Sequence, residues 1–258
     1  MRYPDEFINK IVCGDCLEVM KDIPDESIDL VIADPPYNKV TNESWDNIED
    51  YQGFSRRWLG ECRRVLKNTG NIYVWCSLGE KSTSLLTISL VLKEHFIFKD
   101  MIVWQKQRGR GNRRGWLFTR EEILWAVKTK NFLWNKKHQY GTEKRAFTFS
   151  YKDKEREAKY LKSIKSPFKR LTNVWTDIRE PNLAWNKREV ITTHYTPKPI
   201  KAIERIILSH TKKQDIVLDP FIGSGTTSVA CKALDRNYIG IEISEEYCKE
   251  SRRRTDGS

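Results

Sequence analysis

The chain has 258 residues, 39% of them hydrophobic, with nine Trp, ten Tyr and ten Phe, which is enough for a full core and excludes a disordered or purely solvating polymer. Lys and Arg outnumber Asp and Glu by 46 to 35, and the formal charge of +11 favours a polyanionic partner, either nucleic acid or an anionic membrane surface. No run approaches the roughly eighteen apolar residues of a spanning helix, and the opening Met-Arg-Tyr-Pro-Asp-Glu lacks the apolar core of a signal peptide, so a cytoplasmic protein without membrane association is expected.

Short apolar runs alternate with amphipathic stretches, the rhythm of βαβ units in an α/β fold. Lys10–Cys13 reads as a strand, followed by a helical pattern around Glu18 and a strand over Ile28–Ala33. Tyr51–Leu66 has helical periodicity with Gly70 as its stop, Asn71–Trp75 reads as a strand, Glu80–Leu92 as a helix and Ile97–Trp104 as a strand. From Gln105 to about Glu189 the pattern changes: residues 106–115 are basic and glycine-rich, cations then mix with aromatics, and only Ile123–Val127 resembles a core strand. From Pro199 the rhythm resumes with a helix through Ile207, a strand over Asp215–Leu218, a glycine loop, a helix from Thr226, a strand over Tyr238–Ile241 and a final helix. The expected organisation is one domain, residues 1–128 and 190–258, interrupted by an insertion over 105–189 that overlaps it at the start.

Six Cys without a targeting segment read as reduced thiols. Cys13-Gly14-Asp15-Cys16 spells C-x-x-C but has no second pair, and His95, His138, His194 and His210 lack ligand spacing, so no metal is expected.

In Val217-Leu218-Asp219-Pro220-Phe221-Ile222-Gly223-Ser224-Gly225-Thr226-Thr227 a strand ends in an acid and passes through two glycines into a helix. Such glycines let a ligand approach the backbone at the carboxyl edge of a parallel sheet, and Glu242 closes the next strand where a Rossmann-type carboxylate grips ribose hydroxyls. Ser228 replaces the third glycine of G-x-G-x-x-G, which disfavours a dinucleotide and suits a nucleoside cofactor without pyrophosphate, such as S-adenosylmethionine. The bland alternative is a strand-turn-helix corner whose glycines serve packing. Only one helix follows Ile241, so the remaining strands must come from the N-terminal half, with Lys10–Cys13 next to Tyr238–Glu242. Asp15 would then accept from a cofactor adenine, or simply cap the helix starting near Leu17.

After Leu30-Val31-Ile32-Ala33 comes Asp34-Pro35-Pro36-Tyr37-Asn38. Pro-Pro cannot continue a strand ladder, and it leaves a rigid loop whose carbonyls are expected to face outward beside a carboxylate and an aromatic ring. An amino group bound there meets acceptors for its hydrogens while Tyr37 stacks on its base. A proline turn capped by Asp34 is the plain alternative.

These segments resemble those of the DNA amino-methyltransferases, and specifically their circularly permuted beta group, in which D-P-P-Y precedes F-x-G-x-G. The resemblance spans roughly residues 8–128 and 172–250. It implies a Rossmann-like, S-adenosylmethionine-dependent methyltransferase fold with a permuted, mostly parallel sheet and a basic target-recognition insertion. It implies that Asp34, Pro35, Pro36 and Tyr37 bind and activate the target amine. It also implies that Asp15, Asp34, Asp219, Pro220, Phe221, Gly223, Gly225, Thr226 and Glu242 surround S-adenosylmethionine. His194-Tyr195-Thr196-Pro197-Lys198-Pro199 resembles the family's H-x-T-x-K-P segment, with Thr196 and Lys198 on the methionine carboxylate and Pro197 where relatives often carry Gln. Asp rather than Ser before Pro-Pro-Tyr implies adenine N6 as target, with cytosine N4 as the alternative. Outside DNA, an RNA-base or protein-glutamine methyltransferase is a further reading, and outside enzymes a DNA-binding module that retains the pocket.

Double-stranded DNA is the expected partner, and the family adds a cognate restriction endonuclease and a homodimer as candidates. A paired base must be rotated out of the helix at a cost of roughly a few kcal/mol. Lys106, Arg108, Arg110, Arg113 and Arg114 are the expected phosphate contacts, on a loop whose glycines suggest ordering on DNA, although a charge run is more often a solvated face. Lys152–Arg170 is a second basic stretch, a helix or an arm that orders on binding.

Overall fold

Leu30 and Ile32 point into one apolar cluster and Val31 and Ala33 into another, all four buried, so strand β2 (Ile28–Ala33) must lie in a sheet covered on both faces. The computed structural model describes residues 2–38, 44–79, 82–110, 114–144, 168–181 and 197–257. Its main sheet places side by side β1 (Lys10–Cys13), β10 (Asn237–Glu242), β9 (Ile216–Asp219), β2, β3 (Leu66–Cys76), β5 (Phe118–Val127), β4 (Ile97–Arg110) and β8 (Val174–Trp175). Every pairing is parallel except those of β5, which runs antiparallel to both neighbours. A separate antiparallel pair joins β6 (Tyr140–Lys144) to β7 (Phe168–Arg170).

Helices α1 (Cys16–Val19), α2 (Tyr51–Val65) and α3 (Ser84–His95) cover one face, burying Trp58, Leu59, Ile88 and Leu92 against Val31, Ile72 and Leu218. On the other face α4 (Ile200–His210) and α5 (Thr226–Ala233) bury Ile203, Ile206, Ile207 and Ala230 against Leu30, Ile32 and Val217. Helix α6 (Glu245–Asp256) packs on α5 and β1. This is a three-layer α/β fold with a mostly parallel sheet. Its permuted order is direct: the first strand of the chain pairs with the last, from Lys10 opposite Ile239 to Cys13 opposite Glu242. All six cysteines are free thiols. Among the described residues no helix is long and apolar enough to cross a membrane.

Three expectations are corrected. Gly70 does not stop α2, which ends at Val65; it lies inside β3, where the pairing with β2 jumps from Leu66 to Asn71, and a Cβ there would come within 2.5 Å of Leu66 Cγ. The bulge, not a helix end, requires the missing side chain. Strand β4 continues past Trp104 to Arg110, so residues 105–110 are strand rather than loop. Gln105 pairs with Arg120 and Arg110 with Phe118 across a register break, and since residues 105–110 include nothing apolar, no hydrophobic stripe betrays the strand in sequence. Finally, β8 joins the main sheet although its two residues are too few to show a period.

Candidate active site

Strands β2 and β9 are parallel neighbours, Leu30 opposite Val217 and Val31 opposite Leu218. The Asp34-Pro35-Pro36-Tyr37 loop and the Asp219–Gly225 loop therefore leave the same carboxyl edge side by side, and Glu242 and Asp15 follow on β10 and β1 along that edge. Asp29 fastens the opposite ends: its carboxylate accepts from the Ile216 amide at 2.9 Å and Lys67 at 2.7 Å.

The proline loop is built as a rigid arch. The Tyr37 hydroxyl donates to Asp34 Oδ1 at 2.7 Å, Tyr51 donates to the Pro36 carbonyl at 2.7 Å, and Ser82 donates to the Tyr37 carbonyl at 2.8 Å. Asn38, at φ 60°, donates its amide to Asp46 at 2.8 Å and accepts from the Ile48 amide at 3.0 Å. The Pro36 carbonyl is thus turned inward onto Tyr51, which corrects the expectation of an outward-facing carbonyl at that residue. Asp34, 27% exposed at its side chain, remains an acceptor at the open end of the arch.

Behind the arch lies a chain of alternating charge. Lys198 Nζ is 3.1 Å from Asp34 Oδ2, 3.0 Å from Glu121 Oε2 and 3.1 Å from the Tyr37 hydroxyl, to which it donates. Lys106 pairs with the other oxygen of Glu121. Burial alone would neutralise these groups, but Asp34 and Glu121 outweigh it at Lys198 and hold its ammonium above its ordinary pKa, while Lys198 and Lys106 outweigh it at Glu121 and hold that carboxyl below its own. Burial, then the charges of Asp34 and Glu121, push the Tyr37 phenol well up, so it stays protonated and donates. The sequence reading put Lys198 on a cofactor carboxylate and Lys106 on phosphate; here both ammonium groups are engaged inside the protein. Arg108 and Arg110 lie in β4 with side chains outside the described residues, as are Thr196 and Arg113 altogether; Arg114 is exposed.

In the glycine loop, Gly223 and Gly225 have φ of 51° and 85°, and a Cβ on Gly225 would meet Ser251 Oγ at 2.6 Å and Ser251 Cα at 3.1 Å. Only glycine fits this close packing on α6. Glu242 receives the Gly223 amide at 3.0 Å and the Ser244 amide at 2.8 Å. Pro220 and Thr226 are buried, and the Phe221 ring meets Trp58 edge-on with centroids 5.3 Å apart. Asp15 caps α1, accepting from the Leu17 amide at 2.8 Å, and lies two residues beyond Cys13, the partner of Glu242. Gly225 therefore serves packing, as the plain alternative had it, while Gly223 and the carboxylates Glu242 and Asp15 follow one another along the same sheet edge.

Asp219 accepts from Thr227 at 2.6 Å and the Phe221 amide at 3.0 Å. Burial pushes its carboxyl up to about 7, and the charges of Asp34 and Glu242 act in the same direction. A raised acid binds more protons folded than unfolded, so the stability it contributes is present below about pH 4 and is lost as pH rises to about 7. Relative to wild type, Asp219→Asn should therefore gain several degrees in Tm between pH 4 and pH 7.5. Parallel thermal-melt profiles of the two proteins would refute this.

Glu121, Tyr51, Ser82 and Asp46 were not singled out from the sequence. Glu121 and Glu122 are the first acids after Asp100 in a strongly cationic stretch, a signal available for them; nothing local marks the other three.

Residues 28–253 match the family model described as DNA methylase. The Type II methyltransferase M.HinfI of Haemophilus influenzae is 34% identical, over 97% of this chain and 69% of its own, and M.HpaI of Haemophilus parainfluenzae 33% identical, over 96% and 74%. Among solved structures, the M1.HpyAVI–SAM complex superposes with a TM-score of 0.64 at 28% identity, covering 95% of this chain and 98% of that one. The cytosine-N4-specific PvuII DNA methyltransferase shares the fold, with a TM-score of 0.71 at 21% identity over 95% and 85% of the two chains.

Proposed function

This chain belongs to the DNA methylase family of N6/N4 amino-methyltransferases, and from that premise we propose that it transfers a methyl group from S-adenosylmethionine to the N6 amino group of adenine in double-stranded DNA, after rotating the base out of the helix. The observation that carries this reading is the adjacency of β2 and β9, which sets an amine-accepting loop beside a nucleoside-binding one on a single sheet edge.

Bound S-adenosylmethionine supplies the electrophilic methyl group. Glu242 and Asp15 would be the hydrogen-bond acceptors for its nucleoside, and the left-handed backbone at Gly223 would face its amino-acid arm. Asp34 accepts a hydrogen from the target amine, which directs the nitrogen lone pair towards the methyl group and provides an acceptor for the proton lost on transfer. Tyr37, kept a phenol, orients Asp34 through its 2.7 Å hydrogen bond and offers a ring face to the base. Lys198 shares its charge between Asp34 and Glu121 and so borders the reacting centre.

Asp34 before Pro-Pro-Tyr favours adenine, and the basic stretch over 105–189 serves as the DNA-facing insertion, with Arg108, Arg110 and Arg114 towards phosphates and Lys106 withdrawn from that role. Relatives named Type II methyltransferases support a restriction–modification setting. Sequencing DNA from cells that express this chain, by a method that identifies modified bases, should find N6-methyladenine at one recurring sequence. N4-methylcytosine instead would move the target, and unmodified DNA would remove the proposal.

A further inference from the structure

The β4–β5 hairpin rises from the sheet edge that carries Asp34. Strand β3 ends at Cys76, opposite Glu122, and β8 ends at Trp175, opposite Trp104; beyond these, β4 and β5 pair as strands only with each other. At about 3.3 Å per residue, Phe118 stands about 13 Å past the end of β3, and the tip lies further out. At that tip Trp116 is 98% exposed and Leu117 63%, the latter laid across Gly109, where a Cβ would come within 2.6 Å of the Leu117 Cβ. Residues 106–120 contain no Asp or Glu.

Trp116 and its neighbour Leu117 together expose apolar surface within a stretch that carries cations and no acid over 106–120, a combination suited to contact with a polyanion. Position selects the partner. A duplex that delivers a base to Asp34 must approach this edge, from which the hairpin projects. Resting on the DNA methyltransferase reading, we propose that Trp116 stacks on the duplex bases uncovered where the target nucleotide leaves, holding the opened stack. Trp116 stands two residues before β5, the strand that places Glu121 beside Lys198.

The test needs no knowledge of the recognition sequence. A mixed-sequence duplex with one central abasic site presents an opened stack, and its affinity is compared with that of the intact duplex for wild type, Trp116→Ala and Trp116→Phe. Wild type should prefer the abasic duplex. Trp116→Ala should bind it about 5- to 150-fold more weakly, the range for one aromatic–base stack, with an unchanged salt slope and unchanged S-adenosylmethionine affinity; Trp116→Phe should recover most of the loss. Wild-type affinity in Trp116→Ala, failure of Phe to rescue, or a stronger Trp116-dependent attachment to anionic phospholipid vesicles than to DNA would overturn the inference. If Trp116-dependent DNA binding appears while the wild-type protein leaves every base unmodified, the contact stands and the transferase reading falls.

Discussion

Asp34→Ala should lower the rate of methyl transfer to DNA by at least about 10²–10³-fold while leaving S-adenosylmethionine affinity within a few-fold of wild type. The side chain removed is the acceptor at the open end of the proline arch, and the arch itself is held by Tyr51, Ser82 and Asp46, none of which depends on Asp34. The glycine loop also keeps its own supports, the Thr227 and Phe221 hydrogen bonds to Asp219 and the Gly223 amide on Glu242. Lys198 loses one partner but retains Glu121 at 3.0 Å, so the cation is not stranded. Single-turnover transfer and calorimetric cofactor binding separate the two effects. Turnover at the wild-type level would remove Asp34 from the chemistry, and equal loss of both quantities would make its role structural.

Glu121→Gln should destabilise the protein by about 3–5 kcal/mol, because it takes the carboxylate away from the buried Lys106 ammonium and leaves Lys198 with Asp34 alone. Glu121 and Lys198 are 10% and 9% exposed at their side chains and Lys106 16%, so water cannot replace the lost charge. For a chain of this size that corresponds to a fall in Tm of roughly 10 °C. Removing the surplus cation as well, in Lys106→Met/Glu121→Gln, should restore part of the loss, whereas an unspecific packing defect would grow. Methyl transfer by Glu121→Gln should also decline, since Lys198 would then press its undivided charge on Asp34. A Tm equal to wild type would show that the three groups are not coupled.

The Asp34–Tyr37 and Asp219–Gly225 loops were legible as loops in sequence because both are written in residues that interrupt strands. Two prolines after an apolar run can only break a strand, and two glycines after an acid can only open a turn that needs left-handed backbone; the positive φ at Gly223 and Gly225 bears this out. The pairing of the first strand with the last was legible too, since a sheet cut after Ile241 has to be completed from elsewhere in the chain. The strand continuing over residues 105–110 was not, because hydrophobic period needs apolar residues and these six include none.

What the linear order determined on its own is therefore local: strand and loop types, and the kinds of atoms each loop presents. Only the tertiary structure decided how those atoms are spent. Lys198 is a cation in either view, but its turn towards Asp34 and Glu121 depends on β5 running antiparallel beside β3, which brings Glu121 to the carboxyl edge. Likewise Tyr51, one more polar residue at a helix start, takes the Pro36 carbonyl because α2 packs under the arch. Asp34 and Lys198 are 164 positions apart, and chain connectivity places no constraint on contacts that distant until the layers have packed.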